Sequence, residues 1–185
     1  MDRKELEWRY GAGERNLRKA NLSGVDLHDV KLSEANLTKA DLHRANLRGA
    51  NLSRANLCQA KLCEADLTGA NLYKADLRQA DLRGAILNDT ILREADLRGA
   101  NLYRASLIKG DLCEADLSDA ILDHAYLCSA NLRKADLHNA HLTWANLRQA
   151  DFINAHLDRA DLNNAKFCTT TMPDGTIRNN DCAIA

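Results

Sequence analysis

The sequence predicts an all-β fold, a four-sided parallel β solenoid of about eight coils with a short N-terminal capping helix. Three observations predict it. Every fifth residue from Leu17 to Phe167 is large and apolar without an insertion, 29 leucines plus Phe152 and Phe167 in 31 consecutive units. Alanine stands two positions before the centre in 26 of these 31 units, the exceptions being Arg15, Val25, Val30, Thr90 and Gly110. Glycine recurs at the second position after the leucine, at Gly24, Gly49, Gly69, Gly84 and Gly99.

A period of five suits neither regular element. Five residues turn an α-helix through about 500°, so the leucines would wander around its surface and leave no core. In a flat strand, centres an odd number of residues apart point to opposite faces. The pattern works when each short extended piece aims its leucine and alanine inward and then turns a corner. Four corners close a coil of about twenty residues, and coils stacked at about 4.8 Å make a rod roughly 38 Å long. Alanine is chosen for size, because four inward leucines per coil already crowd the axis. Glycine at the corner indicates positive φ there, which Asn, Asp, Lys and Arg tolerate less well. Disorder is the competing reading of a chain with 28% charged residues and a mean hydropathy of -0.43. Burial of one leucine contributes about 1.5 to 3 kcal/mol, so this many outweigh the argument from composition.

Three segments follow along the chain: an N-terminal cap over 1–14, the solenoid over 15–169, and a turn and tail over 170–185. A helix at about residues 3 to 11 carrying Leu6, Trp8 and Tyr10 covers the first coil, since an open solenoid end exposes leucines and unpaired edges. Pro173-Asp174-Gly175 reads as the turn that stops the coiling, with Ile177 or Ile184 folding back.

From Arg15 to Thr169 the chain resembles the pentapeptide-repeat family, and units such as Ala35-Asn36-Leu37, Ala40-Asp41-Leu42 and Ala45-Asn46-Leu47 match its consensus. The leader Leu6 to Leu17 and the tail Met172 to Thr176 are similar to those of cyanobacterial members. The resemblance implies a right-handed quadrilateral β-helix with three positions of each unit facing water, and no recurring catalytic residues. Some relatives bind DNA gyrase by resembling B-form DNA, and cyanobacterial ones bind regulatory proteins. This chain departs from the gyrase binders in its leucine centres, its uninterrupted coils and its balanced charge. Relatives also dimerise through their C-terminal ends, so a monomer or an end-to-end dimer is expected.

Composition narrows the function. The net charge is -1, and residues 15–169 carry 21 basic and 20 acidic side chains, so neither a nucleic-acid-binding field nor an overall acidic mimic of DNA is expected. No apolar run reaches membrane-spanning length and the start Met1-Asp-Arg-Lys-Glu is unlike a signal peptide, which predicts the cytoplasm. Six cysteines in such a chain read as thiols, five of them (Cys58, Cys63, Cys113, Cys128, Cys168) as exposed small residues just after a central leucine. Cys182, in the tail, is free to pair with a neighbour. There is no convergent triad, phosphate loop or cofactor motif, so no enzyme, cofactor or metal is expected.

Information is left to the outward columns, where residues 20 apart stack. Asp76, Asp96, Asp116 and Asp136 form an acidic column, with Asp119 and Asp158 nearby; it reads either as a mimic of a phosphate strand or as repeat preference for Asn and Asp, and Arg78 and Arg98 sit beside it. Asp136 with His138, and His156 with Asp158, are metal-ligating types on an open surface with nothing to converge them, which favours solvated Asp-His pairs. Ile86, Ile91, Ile121 and Tyr126 replace the usual Asn or Asp, and Tyr103, Ile108 and Trp144 also point outward. Exposed strands tolerate such residues, but a patch spanning two adjacent faces also marks protein contact. The function expected is a non-enzymatic protein-binding rod acting through Ile86, Ile108, Ile121, Tyr126, Tyr103 and Trp144; the alternative is a DNA-mimicking gyrase modulator using the acidic column.

Overall fold

A computed structural model describes residues 1–182. The first element is a helix, α1, Arg3–Gly11, whose N-cap Asp2 accepts a hydrogen bond from the Glu5 backbone N–H at 2.8 Å. Glu5 in the first turn and Arg9 in the last suit the helix dipole and pair with each other. Leu6 is fully buried against the first coil, and the Tyr10 hydroxyl donates to the Ser33 carbonyl at 2.9 Å. Trp8, expected on the covering face, is instead 72% exposed. At 100° per residue, Trp8 stands roughly 200° from Leu6, whereas Tyr10 falls near it.

From Asn16 onward the chain winds with a repeat of 20 residues, joined by parallel single-residue bridges from Asn16↔Asn36 through Asp151↔Thr171. Each side of the coil bonds to both neighbours. Leu97 N donates to Asp116 O at 2.7 Å, Gly99 N to Ser118 O at 2.9 Å, and Asn101 N back to Ala80 O at 2.9 Å. The corner is closed within the unit by a bond such as Ala100 N to Leu97 O, 2.9 Å. All residues two after a centre, from Lys19 to Thr169, have φ between 50° and 67°, glycine or not. Bridges to neighbouring coils hold even Trp144, at 60°, in this left-handed region.

Inside, the leucines from Leu22 to Leu147, together with Phe152, are wholly buried, with the alanines between them. Thr90 and Thr170 occupy alanine positions and are buried, their hydroxyls donating to Leu67 O and Leu147 O at 3.1 and 2.7 Å. Gly110 stacks one coil beyond Thr90, the smaller residue beside the larger.

The tail departs from the coil. Residues Thr170–Thr171 (β1) pair antiparallel with Ile177–Arg178 (β2) around the turn at Pro173 to Gly175. Ile177 folds back through its backbone, while its side chain is 54% exposed. Ile184 lies outside the described residues. Asn179 and Asp181 then cap one side of the last coil, accepting from Thr169 N at 2.7 Å and Phe167 N at 3.0 Å. Two sides stay open: Leu157 and Leu162 are only partly buried, and the N–H groups of Leu157, Arg159, Leu162 and Asn164 meet no acceptor among the described residues.

The cysteines correct the thiol expectation. Cys168 and Cys182 form a disulfide, Cα atoms 4.8 Å apart, because the tail returns across the column that holds Cys168. Cys113 is buried and the other three free thiols are half-buried. Cys113 stands between Arg93 and Arg133 in its column, and long neighbours about 4.8 Å away cover a short side chain. Burial raises the pKa of Cys63 and Cys128 above the usual thiol value. Among the described residues no helix is long and apolar enough to cross a membrane.

Candidate functional site

The position before each central leucine has a local role that composition did not reveal. In most units its Asn or Asp Oδ1 accepts the backbone N–H of the residue two later, as from Asn36 to Thr38 (3.2 Å), Asn71 to Tyr73 (3.0 Å), Asp116 to Ser118 (3.0 Å) and Asp151 to Ile153 (2.9 Å). This Asx turn satisfies an N–H that the backbone of neither neighbouring coil reaches. Preference for Asn and Asp is therefore backbone chemistry, legible in the sequence once the position is read as a turn.

Ile86, Ile91, Ile121 and Tyr126 cannot make this bond. The N–H groups of Asn88, Arg93, Asp123 and Cys128, which it would satisfy, have no acceptor among the described residues. Where Ser106 and His141 break the pattern, the preceding coil repairs it: Asn88 Oδ1 accepts from Ile108 N at 3.0 Å, and Asp123 Oδ1 from Thr143 N at 2.8 Å. The isoleucines and Tyr126 thus sit where the local structure favours a polar side chain.

The structure brings six of the expected apolar residues to one corner of the rod, while Ile91, exposed on the side that follows Ile86, lies away from it. Ile86, Ser106 and Tyr126 share a bridged column, and Ile121 lies in the column of the preceding side. Ile86, Tyr126 and Trp144 are exposed at 40%, 50% and 53%, while Tyr103, Ile108 and Ile121 are half-buried. His124, which no spacing or motif singles out in the sequence, joins the rings: it meets Tyr103 edge to face at 5.7 Å and lies parallel to Trp144 at 6.3 Å. Around them Arg104, Tyr126, Asn146 and Lys166 complete a shallow cleft of about 540 Å³.

The acidic column is tied down locally. Arg78 clasps Asp76 through Nε and Nη2 at 2.9 and 2.7 Å, and Arg98 clasps Asp96 at 2.9 and 2.6 Å. Arg98 also lies 3.5 Å from Asp116, whose Oδ1 accepts from Ser118. The fork from Arg78 holds the Asp76 carboxyl below the usual carboxylate range, against the opposing effect of partial burial. Asp136 accepts from the His138 backbone N–H at 2.9 Å rather than from its ring, a correction to the expected Asp-His pair. The side-chain pair of that kind lies elsewhere, between Asp26 and His28 at 2.9 Å. Among the described residues no three metal-ligating side chains converge.

The family model described as pentapeptide repeats matches residues 16–49, 50–89, 87–119, 111–149 and 135–172. Of solved structures, HetL from the cyanobacterium Nostoc sp. strain PCC 7120, a pentapeptide repeat protein involved in heterocyst differentiation regulation, is 32% identical. It aligns over 96% of this chain and 100% of its own, with a TM-score of 0.47. A pentapeptide repeat protein from the cyanobacterium Cyanothece 51142 is 30% identical over 69% of this chain and 85% of its own, TM-score 0.43. QnrB1, a plasmid-mediated fluoroquinolone resistance protein, is 17% identical over 82% of this chain and 87% of its own, TM-score 0.54, a likeness of fold alone. No curated protein matches.

Proposed function

The chain belongs to the pentapeptide-repeat family, and from that premise we propose that it is a right-handed quadrilateral rod without catalytic activity that binds a protein through the corner formed by Ile86, Ile108, Ile121 and Tyr126, with Tyr103 and Trp144 beside them. The observation that carries this reading is the loss of the Asx bond at Ile86, Ile121 and Tyr126. An intramolecular hydrogen bond contributes about 0.5 to 1.5 kcal/mol. Apolar residues that forgo it, gathered on one corner and left partly exposed, serve contact better than stability. A regulatory contact role and a cytoplasmic location are part of this proposal.

The test is capture of partners from the source organism, comparing the wild type with the Ile86→Asp, Tyr126→Asp double variant by mass spectrometry. A protein retained by the wild type and lost by the variant is expected; partners bound equally by both would remove the corner from consideration. The acidic column is a weaker basis for function, since Arg78 and Arg98 neutralise the carboxylates that a DNA mimic would present. Purified gyrase should supercoil DNA unchanged in the presence of micromolar protein. The open edge at Leu157 and Leu162 supports a second proposal, an end-to-end dimer, because unpaired N–H groups beside partly exposed leucines invite another chain end. Light scattering would show a dimer that Leu162→Lys converts to monomer; a wild-type monomer at all concentrations would refute it.

A further inference from the structure

The contact corner carries a charge bias that the balanced totals conceal. Segments 104–109, 124–129, 144–149 and 164–169 stack on one another and contain no Asp or Glu, although residues 15–169 hold 20 acidic side chains. The same segments carry Arg104, Lys109, Arg148 and Lys166, none of them in an ion pair among the described residues. Ten of the other cations in residues 15–169 are matched to carboxylates, as in Arg44 to Glu64 at 2.7 Å and Lys134 to Glu114 at 2.8 Å, while Arg15, Arg18, Lys19, Lys31, Lys39, Lys61 and Arg159 are not; what sets this corner apart is that its stacked segments hold cations and no carboxylate. Arg104 rests over the Tyr103 ring at 5.2 Å, and Arg148 reaches only the Asp181 backbone carbonyl, at 2.9 Å. Arg104 and Lys166 flank the exposed Tyr126 and Trp144 in the cleft.

We propose that the partner segment at this corner is acidic: an extended stretch of peptide with carboxylates facing Arg104, Lys109 and Lys166 and a bulky apolar side chain seated between Tyr126 and Trp144. The proposal rests on the protein-contact reading and specifies its chemistry. Unpaired cations beside an apolar cleft attract carboxylates and disfavour basic partners, which sets specificity and association rate. From the coil of Arg104 to that of Lys166 is three coil spacings, about 14 Å, matching about four extended residues. A single nucleic-acid strand fits less well. Base stacking needs free ring faces, yet Arg104 covers Tyr103, and His124 and Trp144 lie against each other. Ile86 and Ile108 offer aliphatic surface instead.

The experiment is selection of a displayed random peptide library on the full chain, followed by affinity measurement of the enriched peptides. Enriched sequences should carry an excess of Asp and Glu around an apolar residue. Their binding should weaken about tenfold with Arg104→Glu and Lys166→Glu together, and also when salt rises from about 50 to about 300 mM. Both residues are exposed, so the charge variant should melt as the wild type does; Arg104→Gln with Lys166→Gln should give a smaller loss in the same direction. Enriched peptides without an acidic excess, yet lost with Ile86→Asp and Tyr126→Asp, would overturn the charge proposal and leave the contact reading standing. Peptides unaffected by any of these variants would overturn both. An oligothymidine of about 12 nucleotides that displaced the selected peptides with comparable affinity would replace the acidic peptide by nucleic acid.

Discussion

Replacing Ala100 by leucine tests the packing limit that shapes the whole rod. Ala100 is fully buried, with Ala80 and Ala120 at the same position one coil to either side. The coil cannot widen freely, because Asn101 N is bonded to Ala80 O at 2.9 Å and Ile121 N to Ala100 O at 3.0 Å. Leucine adds three carbons at a level whose axis is already filled by Leu97 and Leu102, both without exposure. Overpacking of this kind costs about 1 to 3 kcal/mol. For a domain of this size each kcal/mol shifts the melting temperature by about 2 to 4 °C, so Ala100→Leu should melt roughly 2 to 12 °C lower. Calorimetry with circular dichroism on both proteins measures this. An unchanged melting temperature would refute the argument that volume, rather than polarity or chance, selects alanine at the second inward position.

Asn71→Ala removes the acceptor for the Tyr73 N–H and should cost about 1 kcal/mol in denaturant unfolding, whereas Ile91→Ala, one coil away, removes no hydrogen bond. Acid should weaken the rod: Asp76 and Asp81 are held below the ordinary carboxylate pKa, first by the forks from Arg78 and Arg83. Their contribution is complete above the unfolded value of about 3.9 and is lost as pH falls through the lower folded value. Asp76→Asn with Asp81→Asn should flatten the stability curve below about pH 4, and an identical acid slope would contradict this. Cys182→Ser, or reductant, should free the tail for limited proteolysis after Thr171 while the coils stay resistant, since the Cys168–Cys182 link is what closes that segment onto the last coil. Equal trimming with and without the disulfide would refute that role.

Much of the candidate site was legible as position and little of it as chemistry. Stacking at 20 residues placed Ile86 and Tyr126 in one column, two coils apart, and Asp76 beside Asp96 from arithmetic alone. What the outward side chains do with one another was not available from spacing. Arg78 and Arg98 fold onto their carboxylates, which turns an apparent acidic stripe into ion pairs. His124 stands between Tyr103 and Trp144, and Asp123 and Asn88 reach across coils to hold backbone N–H groups. Long side chains choose among several rotamers, and the choice depends on neighbours in adjacent coils.

The sequence by itself determined the coil: an unbroken period of five with leucine and alanine inward admits one compact winding, because backbone bonding, corner geometry and axial volume all repeat with it. It determined the helix before the coils and the turn after them as well. Only the tertiary structure decided how the ends are finished and what the surface presents. The disulfide to Cys182, the two sides of the last coil left open at Leu157 and Leu162, and the exposure of Trp8 depend on where aperiodic segments come to rest. Repetition carries no instruction for a segment that occurs once, so its position follows from contacts that exist only after the coil has formed.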